Sequence, residues 1–284
     1  LPDILKNYHI GLILYRGLTL NYIHNAPNKL SAGFGSTLTH ADFFIKAPLF
    51  NDKVGLGLSL MNDRIGPTNN TSVFADFAYR IALGQSKKAR LAFGLKGGLN
   101  IMQIGLQQLG VTDPGDVKFF NNVANKLMPN FGFGVYYYTD NYYVGASVPR
   151  IIETYYDGKD GNSIARQVRH YDLIMGAMFK LGKKVKLKPS MLIKIAEGTP
   201  PELDLSALFY LANDRFWIGP AFRTSWRSSD AVSGIAGVQI IDQLALGYSF
   251  DYSFVNETFK HNSGSHEIML RYDFIYNNKK RVKS

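Results

Sequence analysis

Apolar and polar residues alternate with a period of two along most of this chain, as in strands whose two faces meet different media. Leu244, Leu246, Tyr248, Phe250, Tyr252 and Phe254 alternate with Ala245, Gly247, Ser249, Asp251 and Ser253. Val73, Ala75, Phe77, Tyr79, Ile81 and Leu83 alternate with Phe74, Asp76, Ala78, Arg80 and Ala82; Val185 to Ile195 and Ser263 to Phe274 repeat the pattern. Segments of about nine to eleven residues are the length of a tilted strand crossing a bilayer. No run of about 18 apolar residues exists, so a membrane crossing by this chain would be made by strands.

The connections alternate as well. Asn51-Asp52-Lys53, Gln85 to Lys88, Thr139-Asp140-Asn141, Gly182-Lys183-Lys184, Asn213-Asp214 and Ile241-Asp242-Gln243 read as tight turns. Longer connections are expected at Asn62 to Asn70, Leu106 to Leu127, Arg150 to Arg169, Glu197 to Glu202, Ser228 to Asp230 and Asn256 to Ser263. Short periplasmic turns and long extracellular loops are the bookkeeping of an outer-membrane barrel, with both chain ends in the periplasm. The fold class is all-β: a single antiparallel transmembrane β-barrel over residues 1–284, with 275–284 as a basic periplasmic tail. The periodicity gives about fourteen strands. His40 to Leu49 is clear and Tyr8 to Arg16 weaker; a further hairpin at Leu20 to Ile23 and Leu30 to Gly35 would raise the total to about sixteen. Aromatic clusters at Tyr136-Tyr137-Tyr138, Tyr142-Tyr143 and Phe216-Trp217 suit the membrane interface.

With lipid on the apolar side, the other face lines the interior. It carries Asp76, Arg80, Lys96, Asp172, Lys180, Lys186, Lys188, Lys194, Asp204, Arg223, Asp251, Glu267, Arg271 and Asp273. Charges of both signs can fill a lumen as paired networks or line an aqueous channel. The net charge of +10 does not signal nucleic acid, because outside Lys279, Lys280, Arg281 and Lys283 the basic residues are scattered singly.

Chemistry-bearing constellations are sparse. Cysteine is absent, which removes thiolate nucleophiles and thiolate metal sites. Ser263, Ser265 and His266 lie together before the last strand, but neither an elbow motif nor an orienting third residue accompanies them, so they read as hairpin polar groups. The six histidines lack metal-ligand spacing, and Gly94 to Gly98 lacks the following helix of a phosphate loop. Asp157, Asp160 and Asn162 lack calcium-loop spacing and read as solvated loop. No catalytic, cofactor or metal site is expected. The segment Leu1 to His9 has no signal-peptide layout, which leads us to expect a processed or trimmed chain.

Several segments together resemble the PorP/SprF family of outer-membrane proteins associated with type IX secretion in Bacteroidota. They are Ala47-Pro48-Leu49-Phe50 before Val54-Gly55-Leu56-Gly57-Leu58, Asn62-Asp63-Arg64-Ile65-Gly66, Phe131 to Tyr136, Tyr143 to Pro149, Leu187 to Ser190, Phe216 to Gly219, Gly247 to Tyr252 and Gly264 to Tyr272. The resemblance runs from about Ala47 to Phe274, and the Asn-Pro-Ala-Tyr-Ala-Gly segment of the family is missing. It implies a non-enzymatic barrel that exports or anchors a secreted surface protein, such as a gliding adhesin, together with other secretion components. Phe119, Phe120, Tyr155 and Tyr156 in the two longest loops are then the expected partner-binding anchors, since aromatic side chains favour interfaces. Those loops serve equally well to fold over and close the barrel mouth. A porin or solute channel is the alternative.

Overall fold

The computed structural model describes residues 8–19, 38–49, 53–65, 68–84, 88–105, 123–155, 166–225, 228–253 and 262–274. The chain runs up and down through β1 (Tyr8–Thr19), β2 (Leu38–Leu49), β3 (Val54–Ile65), β4 (Thr68–Leu83), β5 (Ala89–Ile104), β6 (Val123–Tyr138) and β7 (Tyr142–Val148). A separate hairpin, β8 (Thr154–Tyr155) with β9 (Arg166–Gln167), stands between β7 and β10 (His170–Ala177). The wall continues through β11 (Phe179–Lys180), β12 (Lys186–Ala196), β13 (Glu202–Leu211), β14 (Phe216–Ser225), β15 (Ser228–Ile241), β16 (Leu244–Ser253) and β17 (Asn262–Phe274).

Apart from that small hairpin, one antiparallel sheet of fifteen strand segments takes in the described strands. β10 and β11 pair with β12 in a single register and occupy one place in the wall, so the described sheet has fourteen wall positions. Successive wall strands pair with one another, β10 pairs with both β7 and β12, and β1 pairs with β17 from Tyr8↔Phe274 to Gly17↔Ser265. Pairing of the first and last strands, together with the β10–β12 pairing, closes the ring of described strands.

The alternation in sequence survives as two faces. Leu56, Leu58 and Leu60 stand opposite Phe77, Ala75 and Val73, which in turn face Leu95, Gly97 and Leu99. The large members of this row are exposed, with Leu95 at 57%. An outward surface of exposed Leu, Val and Phe is stable against hydrocarbon, and sheet closure satisfies the backbone that lipid cannot.

The short connections and the first and last described residues, Tyr8 and Phe274, collect at one end. The β13–β14 turn uses three consecutive left-handed residues, Ala212, Asn213 and Asp214 (φ 51°, 59° and 67°), a conformation that Asn and Asp tolerate. At the other end, two expected loops are instead strand. β3 and β4 pair out to Ile65↔Thr68 and β14 and β15 out to Ser225↔Ser228, so Asn62 to Asn70 and Ser228 to Asp230 lie largely in the wall. Polar residues near a strand end read as loop, yet here they end paired strands, and Asn62 donates to Asn69 and Thr71 across the pair. The proposed extra hairpin at Leu20 to Ile23 and Leu30 to Gly35, and the basic tail, lie outside the described residues.

Proline interrupts the wall locally. The β13–β14 ladder omits Ala207, Leu208, Gly219 and Pro220, and β10 breaks at Met178 beside Pro189. A proline lacks the N–H a ladder needs. An apolar cavity of about 640 Å³ lies at this region, lined by the outward Phe179, Met191, Leu205 and Phe222 and by the inward Tyr143 and Ser206.

Candidate functional site: the barrel interior and its mouth

The interior divides into two unlike halves. Along β4 to β6 part of it is packed: Ser72, Phe74, Asn100, Met102, Met128 and Asn130 are all buried. Ser72 donates to Asn100 (3.2 Å), and the Lys96 ammonium stands 5.1 Å from the Phe74 ring centroid while pairing with Asp76 at 3.5 Å. A strand whose inward row is buried must have material against it. Part of that material is the stem of the β7–β10 connection.

Asn130, 1% exposed, holds that stem. Its Nδ2 donates to the Ile152 carbonyl at 2.8 Å, and its Oδ1 accepts from the Ile152 and Phe131 N–H groups at 3.1 and 2.9 Å. Ile151 N–H donates to the Phe131 carbonyl (2.8 Å), Arg169 Nε donates to the Ile151 carbonyl (3.0 Å), and Gln167 is buried. The descending and returning limbs are thus tied to each other and to the wall. Nothing in the sequence marked Asn130, because an amide in a barrel strand looks like any inward polar residue.

The other half, β10 to β17, keeps a cavity of about 340 Å³ lined in part by Asp204, Arg223, Asp251 and Glu267. Beside it runs an alternating network: Lys194 Nζ to Glu202 (2.7 Å) and Asp204 (3.1 Å), and Arg223 Nε to Asp204 (2.8 Å) and Glu202 (3.5 Å). These side chains stand on adjacent strands, Lys194 opposite Glu202 and Asp204 opposite Arg223, so cross-strand register places opposite charges face to face. Glu202 carries no strand signal in the sequence because it is the first residue of β13, at the loop boundary.

The aromatic clusters do not all meet the membrane interface. Tyr137, Tyr142 and Phe216 follow the outward row, and the Tyr137 and Tyr142 rings pair at 6.0 Å. Tyr136, Tyr138, Tyr143 and Trp217 fall on the inward row, with Tyr138 and Tyr143 buried. Neighbours in a strand point to opposite faces, so a run of three tyrosines cannot form one belt.

Ser265 and His266 are likewise on opposite faces. Ser265 is buried inside, whereas His266 follows the outward row, 5.0 Å from the Phe250 ring centroid and with Nδ1 2.7 Å from the Tyr248 hydroxyl. They cannot serve one reaction centre. Among the described residues no group of acidic and histidine side chains is arranged to hold a metal. Phe119, Phe120 and Tyr156, and the loop carboxylates Asp157 and Asp160, lie outside the described residues; Tyr155 is in β8.

A family model for the type IX secretion system membrane proteins PorP/SprF matches residues 21–272. The chain belongs to that family. The match reaches some 26 residues further toward the N-terminus than the motifs beginning at Ala47. Solved structures agree on the architecture of this PorP/SprF chain. The toluene transporter TbuX of Ralstonia pickettii is similar at a TM-score of 0.56 and 8% identity, over 95% of this chain and 90% of that one. The ΔS2S3 mutant of TodX, a monoaromatic hydrocarbon channel, gives 0.58 and 10% over the same shares. The Acinetobacter baumannii outer membrane protein Omp33 gives 0.54 and 8%, over 95% and 98%. At such identities the likeness carries the fold, that of outer-membrane β-barrels, and the family places this protein in the outer membrane. No curated protein sequence matches the chain.

Proposed function

We propose that this PorP/SprF barrel is a non-enzymatic receptor of the type IX system, which binds a secreted surface protein at its extracellular mouth and helps export or anchor it. The observation that carries the reading is the two-ended construction. Tight turns occupy the periplasmic end, while the long β5–β6 and β7–β10 connections share the other. The stem of the second is clamped to the wall by Asn130. A stem held at its base lowers the ordering entropy a partner docking on that connection must overcome. Phe119, Phe120, Tyr155 and Tyr156 are the proposed contact residues.

The test is purification of the barrel from its own outer membrane in mild detergent, with mass spectrometry of the bound proteins. A stoichiometric surface protein that is lost when Phe119, Phe120, Tyr155 and Tyr156 are changed together to Ser supports the receptor. Recovery of the barrel without any secreted or secretion-system protein sinks it.

A solute channel is the second reading, favoured by the charged cavity along β10 to β17. Ion conductance by the pure barrel in a planar bilayer, altered in selectivity by Arg223→Glu, would bring it forward.

A further inference from the structure

The inward aromatic residues at the periplasmic end form a layer that neither reading uses. Tyr138 and Tyr136 (β6) have ring centroids 5.6 Å apart, and Tyr136 is 5.7 Å from Tyr143 (β7). Lys188 (β12) places its ammonium 5.9 Å from the centroid of Tyr143. Tyr210 (β13) and Trp217 (β14) stack at 6.3 Å with planes 30° apart. Tyr210 stands opposite Lys186, two residues from Lys188 on the same row of β12.

Glycines lay these rings along the wall. A Cβ on Gly237 would fall 2.1 Å from the Trp217 indole, and one on Gly176 would fall 2.6 Å from the Tyr143 hydroxyl. The layer is therefore lined by aromatic surface, with polar groups at its margin.

Two of those polar groups share one deficit. Among the described residues Lys188 has the Tyr143 ring and no carboxylate beside it. The Tyr138 hydroxyl is buried without a hydrogen-bond partner, whereas Arg271 already has its counter-charge in Asp273 at 3.3 Å. Lys188 and the Tyr138 hydroxyl can both donate, and Lys188 is cationic. Half-buried charge without a counter-charge and buried donors without acceptors are unfavourable, and a bound anion relieves both. Flat aromatic surface next to a cation adds selectivity for a flat anion.

We propose that this layer is a binding site for a small aromatic carboxylate at the periplasmic outlet of the barrel. The carboxylate pairs with Lys188 and accepts from the Tyr138 hydroxyl, and the ring stacks in the aromatic layer near Trp217.

The protein supplies its own reporter. It holds two tryptophans, Trp217 and Trp226, so Trp226→Phe leaves Trp217 alone in the whole folded barrel. Its fluorescence is titrated with benzoate, with benzyl alcohol as the neutral analogue and benzylamine as the cationic one. Benzoate is expected to change the signal saturably, with an affinity at least about tenfold above either analogue, the scale of one charge-assisted contact. Lys188→Gln should remove that preference and Lys188→Arg should keep it. Equal responses to the three compounds, or benzoate binding unchanged by Lys188→Gln, overturn the proposal. If Lys188→Gln fails to fold, as judged by heat-modifiable migration, Tyr138→Phe decides. A loss of about threefold or more in benzoate affinity supports the site, and an unchanged affinity overturns it.

Discussion

Asn130 shows how one inward amide can set the state of a loop. Its side chain satisfies both backbone groups of Ile152, so truncation leaves a buried N–H and C=O to find other partners. Asn130→Ala should release the β7–β10 stem at a loss of about 1–3 kcal/mol, read as faster cleavage by added protease within 150–169 while the wall stays resistant. Unchanged cleavage would mean the stem is held elsewhere. Gly98 makes the opposite point, since a Cβ there would sit 2.0 Å from the Val73 carbonyl oxygen, which is backbone and cannot swing aside. Gly98→Ala should therefore destabilise the β4–β5 pair by about 1–3 kcal/mol, seen as a lower urea midpoint for unfolding from vesicles.

At the scale of the strand, each side chain's effect follows from its face. Leu95 and Lys96 are adjacent on β5, one 57% exposed on the outward row and the other inside near Asp76. Leu95→Arg should cost about 2–4 kcal/mol of folding free energy in a bilayer, because it places a charge in hydrocarbon. Lys96→Ala removes a part-exposed ion pair and should cost about 1 kcal/mol or less. Equal effects at the two sites would refute the assignment of faces. This period-two rule is why the strands were legible from Val73 to Leu83 and from Leu244 to Phe254, where every second residue is apolar. It is also why other features were not. Asn62 to Asn70 is polar on both faces and carries no alternation to read, and the Tyr136 to Tyr138 run is apolar on both faces, so its inward members were assigned to the interface. Asn130 and Lys188 required partners from distant strands, and pairing across a closed sheet is not written in any single segment.

For the whole molecule, closure is the property on which the other inferences stand. An open sheet of this length would expose the backbone edges of β1 and β17 to lipid, where unpaired N–H and C=O groups have no solvent to bind. The pairing of Leu12 with Leu270 places two distant positions of the chain opposite each other at that seam. The sequence has no cysteine, so Leu12→Cys with Leu270→Cys creates the only possible intramolecular disulfide. In the folded barrel an oxidant should join them in high yield, and the denatured product, circular over most of its length, should migrate faster on a reducing-agent-free gel than its reduced form. Shifting one partner by a residue, Leu12→Cys with Met269→Cys, turns the two side chains to opposite faces and should abolish the bond. The chain-entropy model assigns such a long loop about 5 kcal/mol of stabilisation, so the oxidised barrel should also unfold at a higher denaturant concentration. Efficient crosslinking in the shifted pair but not the matched one would move the seam by one residue and reverse the faces of β1. Crosslinking in neither would leave the two terminal strands unpaired and the sheet open.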